Sequence, residues 1–498
     1  MSDVKEDQLA APAPVGVPFA SARKLAMGAV ASGTVSVVKI GLQLLLLPVM
    51  ARLLGPDEFG IYALALPTIS FVTLLADGGM GATLAREPET SSLVWSSAFW
   101  FLLFTGLVLA MGASAFGFGL SYVVHQPRIA PMIAMLSLSL VLLVLSVPAG
   151  ARLTRRRNLN VGAATELAAN VLGAAVAVTM AWRGAGAWSL VAQYLSVYFV
   201  RAVILNAKAF TMPAFEFSMS SIHPHMASGG MLVGTRLCEY LGRVAENVLI
   251  DRVFGTALLG SFTFANQVSR FAGETVGNVS WITLYVQALT GERERVAEVH
   301  RRMCRMLAAT LFPSTLLAAV AAPELIDWLL GPKWTHLAFM LRVFLPTSAL
   351  SIVAVQVGAI LLARDRFGVF FWCSLGLSVA RVIVVALGFW GGLTVVVYGL
   401  AVASLLQFAA LLIGSEGPTG CRPLLMLRGL VGPAISSVVA AAICFLMLRM
   451  LPPSAVLTTS SLAAGFASYV ACMFLIDRVA LLDDFSTMRR LLLSGSSA

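Results

Sequence analysis

The stretch GTRLCEYLGRVAEN, residues 234–247, carries Arg236, Glu239, Arg243 and Glu246 at steps of three, four and three. On a helix those steps fall within an arc of about 80°, one stripe roughly 15 Å long. Arginine presents a planar fork of donors that suits a diphosphate. A carboxylate beside it can balance charge or carry a proton, since burial raises its pKa and the guanidinium lowers it. The same spacing also lets the four charges satisfy one another along the helix, as Arg270 and Glu274 can.

The stripe sits in a strongly apolar chain. Of 498 residues, 59% are hydrophobic and 12% are charged, against about 25% charged in soluble proteins. About 20 apolar residues cross a hydrocarbon core, and such runs recur along almost the whole length. Their period is helical or absent, which favours helices over a barrel. The predicted fold class is an all-α polytopic membrane protein of about 14 transmembrane helices. The spans are placed at 25–49, 59–82, 94–119, 129–149, 160–182, 187–206, 227–250, 257–281, 306–330, 337–362, 369–390, 393–414, 431–449 and 456–476.

A charge at a span centre costs about 2.5–3.5 kcal/mol, so four facing lipid would cost on the order of 10–14 kcal/mol. The stripe on span 7 is therefore expected to face something polar. The deep set comprises the cations Lys39, Arg236, Arg243, Arg270 and Arg381 and the anions Glu166, Glu239, Glu246 and Glu274. Their near balance leaves two readings open: a wet cavity wall or structural pairs. Arg201, Asp327 and Arg342 lie near span ends and are expected to snorkel. Asp77, in ADGGMG, reads as a helix-end and turn residue with a possible gate role.

Basic residues are unevenly shared. The loops on one side hold six Lys/Arg, namely Arg52, Arg128, Arg183, Arg252, Lys333 and Arg449, while the other side and the tails hold 21. The positive-inside rule then puts both termini in the cytoplasm. The net charge of +10 follows from that topology, and nucleic acid is not expected as a partner. The segment 291–305, GERERVAEVHRRMCR, is expected to be a solvated amphipathic helix near anionic lipid. The C-terminal tail is expected along the interface.

A duplication is also visible. RLLGPDEFGIYALALPTISF (52–71) and RVFGTALLGSFTFANQVSRF (252–271) share Arg, two Gly, Ala and Phe at five of 20 aligned positions. Both open at the turn after an odd-numbered span, six spans apart. A common helix-turn-helix punctuation would leave the same marks; read as a duplication, they predict two parallel six-helix lobes, with a substrate site between them, plus a C-terminal helix pair. Gly55, Gly60, Gly255 and Gly260 are expected to supply positive φ at the two turns. The domain boundaries read 1–24 cytoplasmic disordered tail, 25–206 first lobe, 207–226 cytoplasmic linker, 227–414 second lobe, 431–476 terminal pair and 477–498 cytoplasmic tail. Six dispersed cysteines form no CxxC pair and no metal spacing, so neither a metal nor a cofactor is expected.

Several segments carry a resemblance. ARLLGPDEFGIYALA with ADGGMGATLAR, NVLIDRVFGTALLGSFTFANQ, LIDWLLGPKWTHLAFMLRVFLP and LLARDRFG resemble the polysaccharide-transport branch of the multidrug/oligosaccharidyl-lipid/polysaccharide exporter superfamily, over roughly residues 25–415. The resemblance implies a Wzx-like flippase of the bacterial inner membrane that moves undecaprenyl-diphosphate-linked oligosaccharide by alternating access, for exopolysaccharide, capsule or O-antigen synthesis. It also places Lys39 and Arg270 on helices flanking a central cleft. Arg236, Arg243, Lys39, Arg270 and Arg381 are then the diphosphate candidates. Glu239, Glu246, Glu274 and Glu166 are the coupling or pairing candidates, and Asp77, Gly55 and Gly255 the gate or turn residues. Implied partners are membrane lipid, a polysaccharide polymerase and export machinery.

Two other functions are weighed. A cation-coupled drug exporter of the same fold would favour an acidic cavity. A membrane-embedded glycan polymerase or ligase would need a sizeable outer loop, and no carboxylate pair stands there for acid–base work. No GxxxxGK[ST] occurs, which argues against an ATP-driven pump. The chain is not expected to be an enzyme.

Overall fold

The computed structural model describes residues 19–77, 91–156, 159–222, 230–272, 292–334, 336–364, 367–414, 423–450 and 455–476, with isolated residues between them. Side chains before Val38 and from Gly230 to Tyr240 lie outside the described set, as do the tails 1–18 and 477–498.

Among the described residues stand fourteen α-helices and no strand. The first group is α1 (Phe19–Asp77), α2 (Ser92–Val124), α3 (Ile129–Arg155), α4 (Leu159–Trp182) and α5 (Trp188–Ala209). The second is α6 (Gly230–Phe254), α7 (Thr256–Ala272), α8 (Arg293–Val320), α9 (Ala322–Leu330), α10 (Leu337–Val355), α11 (Val357–Ala363) and α12 (Phe367–Gly414). Helices α13 (Pro423–Met450) and α14 (Ala455–Ile476) close the chain.

Two helices are long because one residue bends each of them. Gly55 breaks α1 at φ 77°, ψ 173°, and Gly392 breaks α12 at φ 69°, ψ −170°. Gly331, after α9, has nearly the same pair, φ 79° and ψ −175°. That region of backbone space is open essentially to glycine alone. Gly255, at φ 85°, is likewise the single residue between α6 and α7. At Gly55, Gly255 and Gly392 the next helix starts at once, so the loop expected over residues 50–58 is reduced to one residue, whereas a short 3-10 turn, Pro332–Trp334, follows Gly331. Counting α1 and α12 as two spans each gives six spans in each lobe plus the terminal pair.

The first lobe is α1 packed on α3 and α4, with α2 on α3 and α5 on α3 and α4. The second joins α10 to α7, α8 and α12, and α12 to α6. Helix α13 lies along α8 and pairs with α14. The lobes meet where α1 crosses α7 and α6. Apolar side chains also cover the outside: Phe104 is 68% exposed and Met111 65%. Nine helices among the described residues are long and apolar enough to cross a bilayer. A surface of that kind is buried only by lipid.

One expectation agrees with the structure and one needs correction. Segment 293–305 is amphipathic as expected, and it forms the first part of α8, continuous with the span, with only its charged face open. Val296, His300 and Cys304 are buried, because α8 packs on α10 and α13 along its length. Gly60 and Gly260 do not have positive φ. They lie within helices, and their role is close approach.

Candidate functional site

The crossing between lobes is built from the two repeat copies. A Cβ on Gly60 would strike the carbonyl of Thr256, and one on Gly260 would strike the carbonyl of Pro56. The offset of 200 residues that aligns the copies thus relates the two halves of one contact. Backbone meets backbone, as small residues permit. Beside the crossing, Phe59 packs edge-on against Phe264 and Trp334, with centroids 5.9 and 5.8 Å away, and Phe264 lies 5.0 Å from Trp334. Asn247 Nδ2 donates to the Ala63 carbonyl at 2.8 Å, and Arg252 donates to the Val123 carbonyl. These contacts gather at the end that carries the glycine turns, called here the glycine-turn face. The opposite end carries Arg155, Arg156 and the start of α8, and is called the basic face.

Glu58 organises the glycine-turn face of the first lobe. Its carboxylate accepts both Arg128 guanidinium nitrogens at 2.9 Å and the Ala187 N–H at 2.5 Å, beside the start of α5. Burial raises the Glu58 carboxyl, but the Arg128 and Ala187 hydrogen bonds and the Arg128 charge outweigh it and hold the pKa below its ordinary value.

Two polar clusters lie deeper. In the first lobe, Lys39 Nζ is 2.8 Å from Glu166 Oε1, and Arg201 stands 3.9 Å from the other oxygen. All three are roughly a third to two-fifths exposed. One turn along α5, the Tyr198 hydroxyl lies 3.4 Å from that of Tyr194. Two cations on one carboxylate give this half-open cluster a net charge of +1. In the second lobe, Arg381 Nε and Nη2 donate to Glu246 at 3.1 and 2.8 Å. Glu246 is 3% exposed. A bidentate fork is what a buried carboxylate needs.

Of the predicted residues, the structure brings together Lys39 with Glu166 and Arg381 with Glu246. Arg243 and Arg270 stand exposed on α6 and α7, and both have interactions of their own. Asp77 is the last residue of α1, and its side chain lies outside the described set, as do those of Arg236 and Glu239. Glu274 lies outside the described residues altogether. Asn170 donates to the Glu166 carbonyl and Asn266 to the Phe262 carbonyl, so both side chains serve their own helices. Sequence reasoning missed Arg201, Tyr194 and Tyr198 as one stripe, although their steps of four and three on α5 encode it. It also missed Glu58 and Arg128, which only the fold brings together. Among the described residues no His/Cys/Asp/Glu group could hold a metal ion.

Comparison with known proteins gives this arrangement a lineage. The chain is 26% identical over 299 residues to the succinoglycan biosynthesis transport protein ExoT of Rhizobium meliloti, a match spanning 59% of this chain and 60% of that one. It is 22% identical over 352 residues to the lipopolysaccharide biosynthesis protein WzxC of Escherichia coli, covering 70% and 72%. Among solved structures, the lipid II flippase MurJ in an inward closed conformation superposes with a TM-score of 0.73 at 10% identity, covering 90% of this chain and 99% of that one. An inward-facing multidrug resistance MATE family transporter superposes at 0.61 and 14% identity, covering 76% and 96%. At those identities the likeness is one of fold, and it is the fold of polytopic transporters. The model of one family, described as polysaccharide biosynthesis protein, matches residues 49–338, more than half of the sequence, and the chain belongs to that family.

Proposed function

We propose that the protein is a flippase for lipid-diphosphate-linked oligosaccharide, working by alternating access between its two lobes in the bacterial inner membrane. Membership of the polysaccharide biosynthesis family carries this reading. The half-open cluster of Lys39 and Arg201 on the single carboxylate of Glu166 supports it, since an anionic headgroup needs a net positive path. The lobes are taken as 25–206 and 227–414, with 431–476 as an appended pair. The basic face is taken as cytoplasmic, which places both termini inside and the glycine turns outside.

In this reading the cargo's diphosphate meets Lys39 and Arg201 on one side and Arg243 and Arg270 on the other, with Arg236 further along α6. Arg243 is one turn from Asn247, where the lobes still touch, and Arg270 lies about 15 Å along α7 from Gly260. Arg381 is committed to Glu246, so its part is to hold α12 on α6. Glu166 partly neutralises its two cations, and cargo phosphate competes for them. Glu239 and Glu274 are the remaining carboxylates that could couple or pair, and Asp77 is placed as a gate residue. The protein moves its cargo without making or breaking a covalent bond in it, and hands it to polymerase and export machinery.

The test is a series of Lys39→Ala, Arg201→Ala, Arg243→Ala and Arg270→Ala, scored for lipid-linked sugar accumulating on the inner leaflet. Loss of one charge-assisted pair is expected to slow transport about tenfold or more. Normal export by all four variants would refute the diphosphate path. Transport of a cationic dye in place of the lipid-linked sugar would refute the substrate class.

A further inference from the structure

The segment joining the lobes leaves α5 at Phe210 and runs without helical structure to Ser218 along the start of α2. Three bonds of 2.9 Å strap it down: Ala214 N–H to Ser96 Oγ, Ser218 N–H to Ser97 Oγ, and Trp100 Nε1–H to the Ala214 carbonyl. Phe215 stacks on Trp100 with centroids 5.3 Å apart.

Under the strap lies a cavity of about 210 Å³, walled by the first turns of α2, the last turns of α3 and α5, and residues 210–214. Among the described residues of its lining Arg152 is the one charged, and Ser92, Ser96 and Thr211 add hydroxyls. The guanidinium lies 4.5 Å over the Trp95 ring, and Nη1 reaches the Ala209 carbonyl at 3.4 Å. It is therefore held at the wall with its fork oriented. The volume is below the usual range for a drug-sized ligand, and suits a headgroup fragment better than a whole lipid-linked glycan.

Three observations identify the class of ligand. The cavity lies where three apolar helices end together, which is headgroup level. Its roof is apolar and turned outward: Met212 is 87% exposed and Phe215 94%, and Phe210 and Phe217 are exposed beside them. Lys208, Arg155 and Arg156 stand exposed around it, against Glu216 on the strap. A cationic hole under an apolar roof at the bilayer edge fits an anionic amphiphile.

We propose that this cavity binds the phosphate headgroup of an anionic membrane phospholipid. Its acyl chains lie over Phe210 and Met212, and it pins the strap between the lobes against the first lobe. The site is apart from the transport path and does not depend on which cargo is flipped.

The full-length protein is reconstituted in bilayers of phosphatidylcholine with and without phosphatidylglycerol, and amide exchange is followed in residues 210–218. Phosphatidylglycerol is expected to slow exchange at Ala214 and Ser218 about tenfold, the factor one charge-assisted contact confers. Arg152→Gln should abolish that difference. Ser92→Phe, which fills the cavity from its exposed rim and leaves the arginine in place, should abolish it too. Equal exchange in the two bilayers overturns the proposal, as does a phosphatidylglycerol effect that survives Ser92→Phe. Equal slowing by millimolar inorganic phosphate in phosphatidylcholine alone would assign the cavity to a soluble anion and overturn the lipid assignment.

Discussion

Adding one methyl group at Gly60 or Gly260 should push the lobes apart. Each Cβ would meet a backbone carbonyl of the opposite lobe, Thr256 for Gly60 and Pro56 for Gly260. A carbonyl in a helix cannot rotate away as a side chain can, so relief requires the helix axes to separate by about 1–2 Å. Overpacking of this kind costs about 1–3 kcal/mol, which shifts the balance toward the separated state by roughly 5- to 150-fold. The two contacts are equivalent halves of one crossing, so Gly60→Ala and Gly260→Ala should cost similar amounts. The double variant should cost less than the sum, because either methyl alone opens the space that the other needs. Spin labels at the exposed Arg183 and Lys333, one in each lobe, would report the separation as a longer and broader distance distribution. Thermal melting of the same proteins would give the additivity. Unchanged distances, a neutral single variant or full additivity would each refute the shared crossing.

Other outcomes follow from the same geometry. Arg381→Met should destabilise the protein by about 3–5 kcal/mol by stranding the buried Glu246 carboxylate, and adding Glu246→Gln should restore most of the loss in a melting experiment. Trp334→Ala should cost about 3–5 kcal/mol, since its side chain is 1% exposed between Phe59 and Phe264. Glu58 has a lowered pKa in the fold, so its contribution exists above the unfolded value and is lost as pH falls through the folded one. Melting of wild type and Glu58→Gln should therefore differ at neutral pH and converge as the pH drops below the ordinary carboxylate range.

The turns were legible because a backbone constraint has one chemical solution. A single-residue reversal between spans needs positive φ, only glycine adopts it freely, and Gly55 and Gly255 therefore stand out in a line of text. Span number was legible for a similar reason, since lipid imposes a length. Partners were not legible. The steps of three and four on α6 place Arg243 and Glu246 near one face, yet Glu246 turns to Arg381, 135 residues away on α12. Arg201 looked like a snorkelling end residue and stands by Glu166, because α4 and α5 pack side by side and bring their stripes together. Spacing along one helix gives direction around an axis, whereas the identity of the neighbour belongs to packing. The same limit explains Gly60 and Gly260, whose lack of a side chain matters only because another backbone crosses there. It also explains α8, whose charged face hid the buried Val296, His300 and Cys304.

The distribution of interactions bears on how the lobes can move. The ion pairs Lys39–Glu166, Glu58–Arg128 and Glu246–Arg381 each close within one lobe. The contact between lobes on the glycine-turn face uses a glycine crossing, two ring pairs and two N–H···O=C bonds, one of them from the Arg252 guanidinium. Ring pairs and the neutral Asn247 bond are each worth about 0.5–1.5 kcal/mol and the bond from the charged Arg252 about 1.5–3 kcal/mol, so parting these four costs on the order of 3–8 kcal/mol before lipid or water replaces them. Breaking one buried ion pair would add about 3–5 kcal/mol more. Keeping those charges inside the lobes leaves this seam without the three ion pairs named above, which suits the opening that the proposed alternating access requires on the microsecond-to-millisecond scale of domain motion. A seam that must open and close repeatedly is better served by such contacts, which re-form without regaining a fixed charge geometry. Moving one pair across the seam, for example with Thr256→Lys against Asp57, should slow opening and lower transport while raising the melting temperature. Faster transport in that variant would contradict this division of labour.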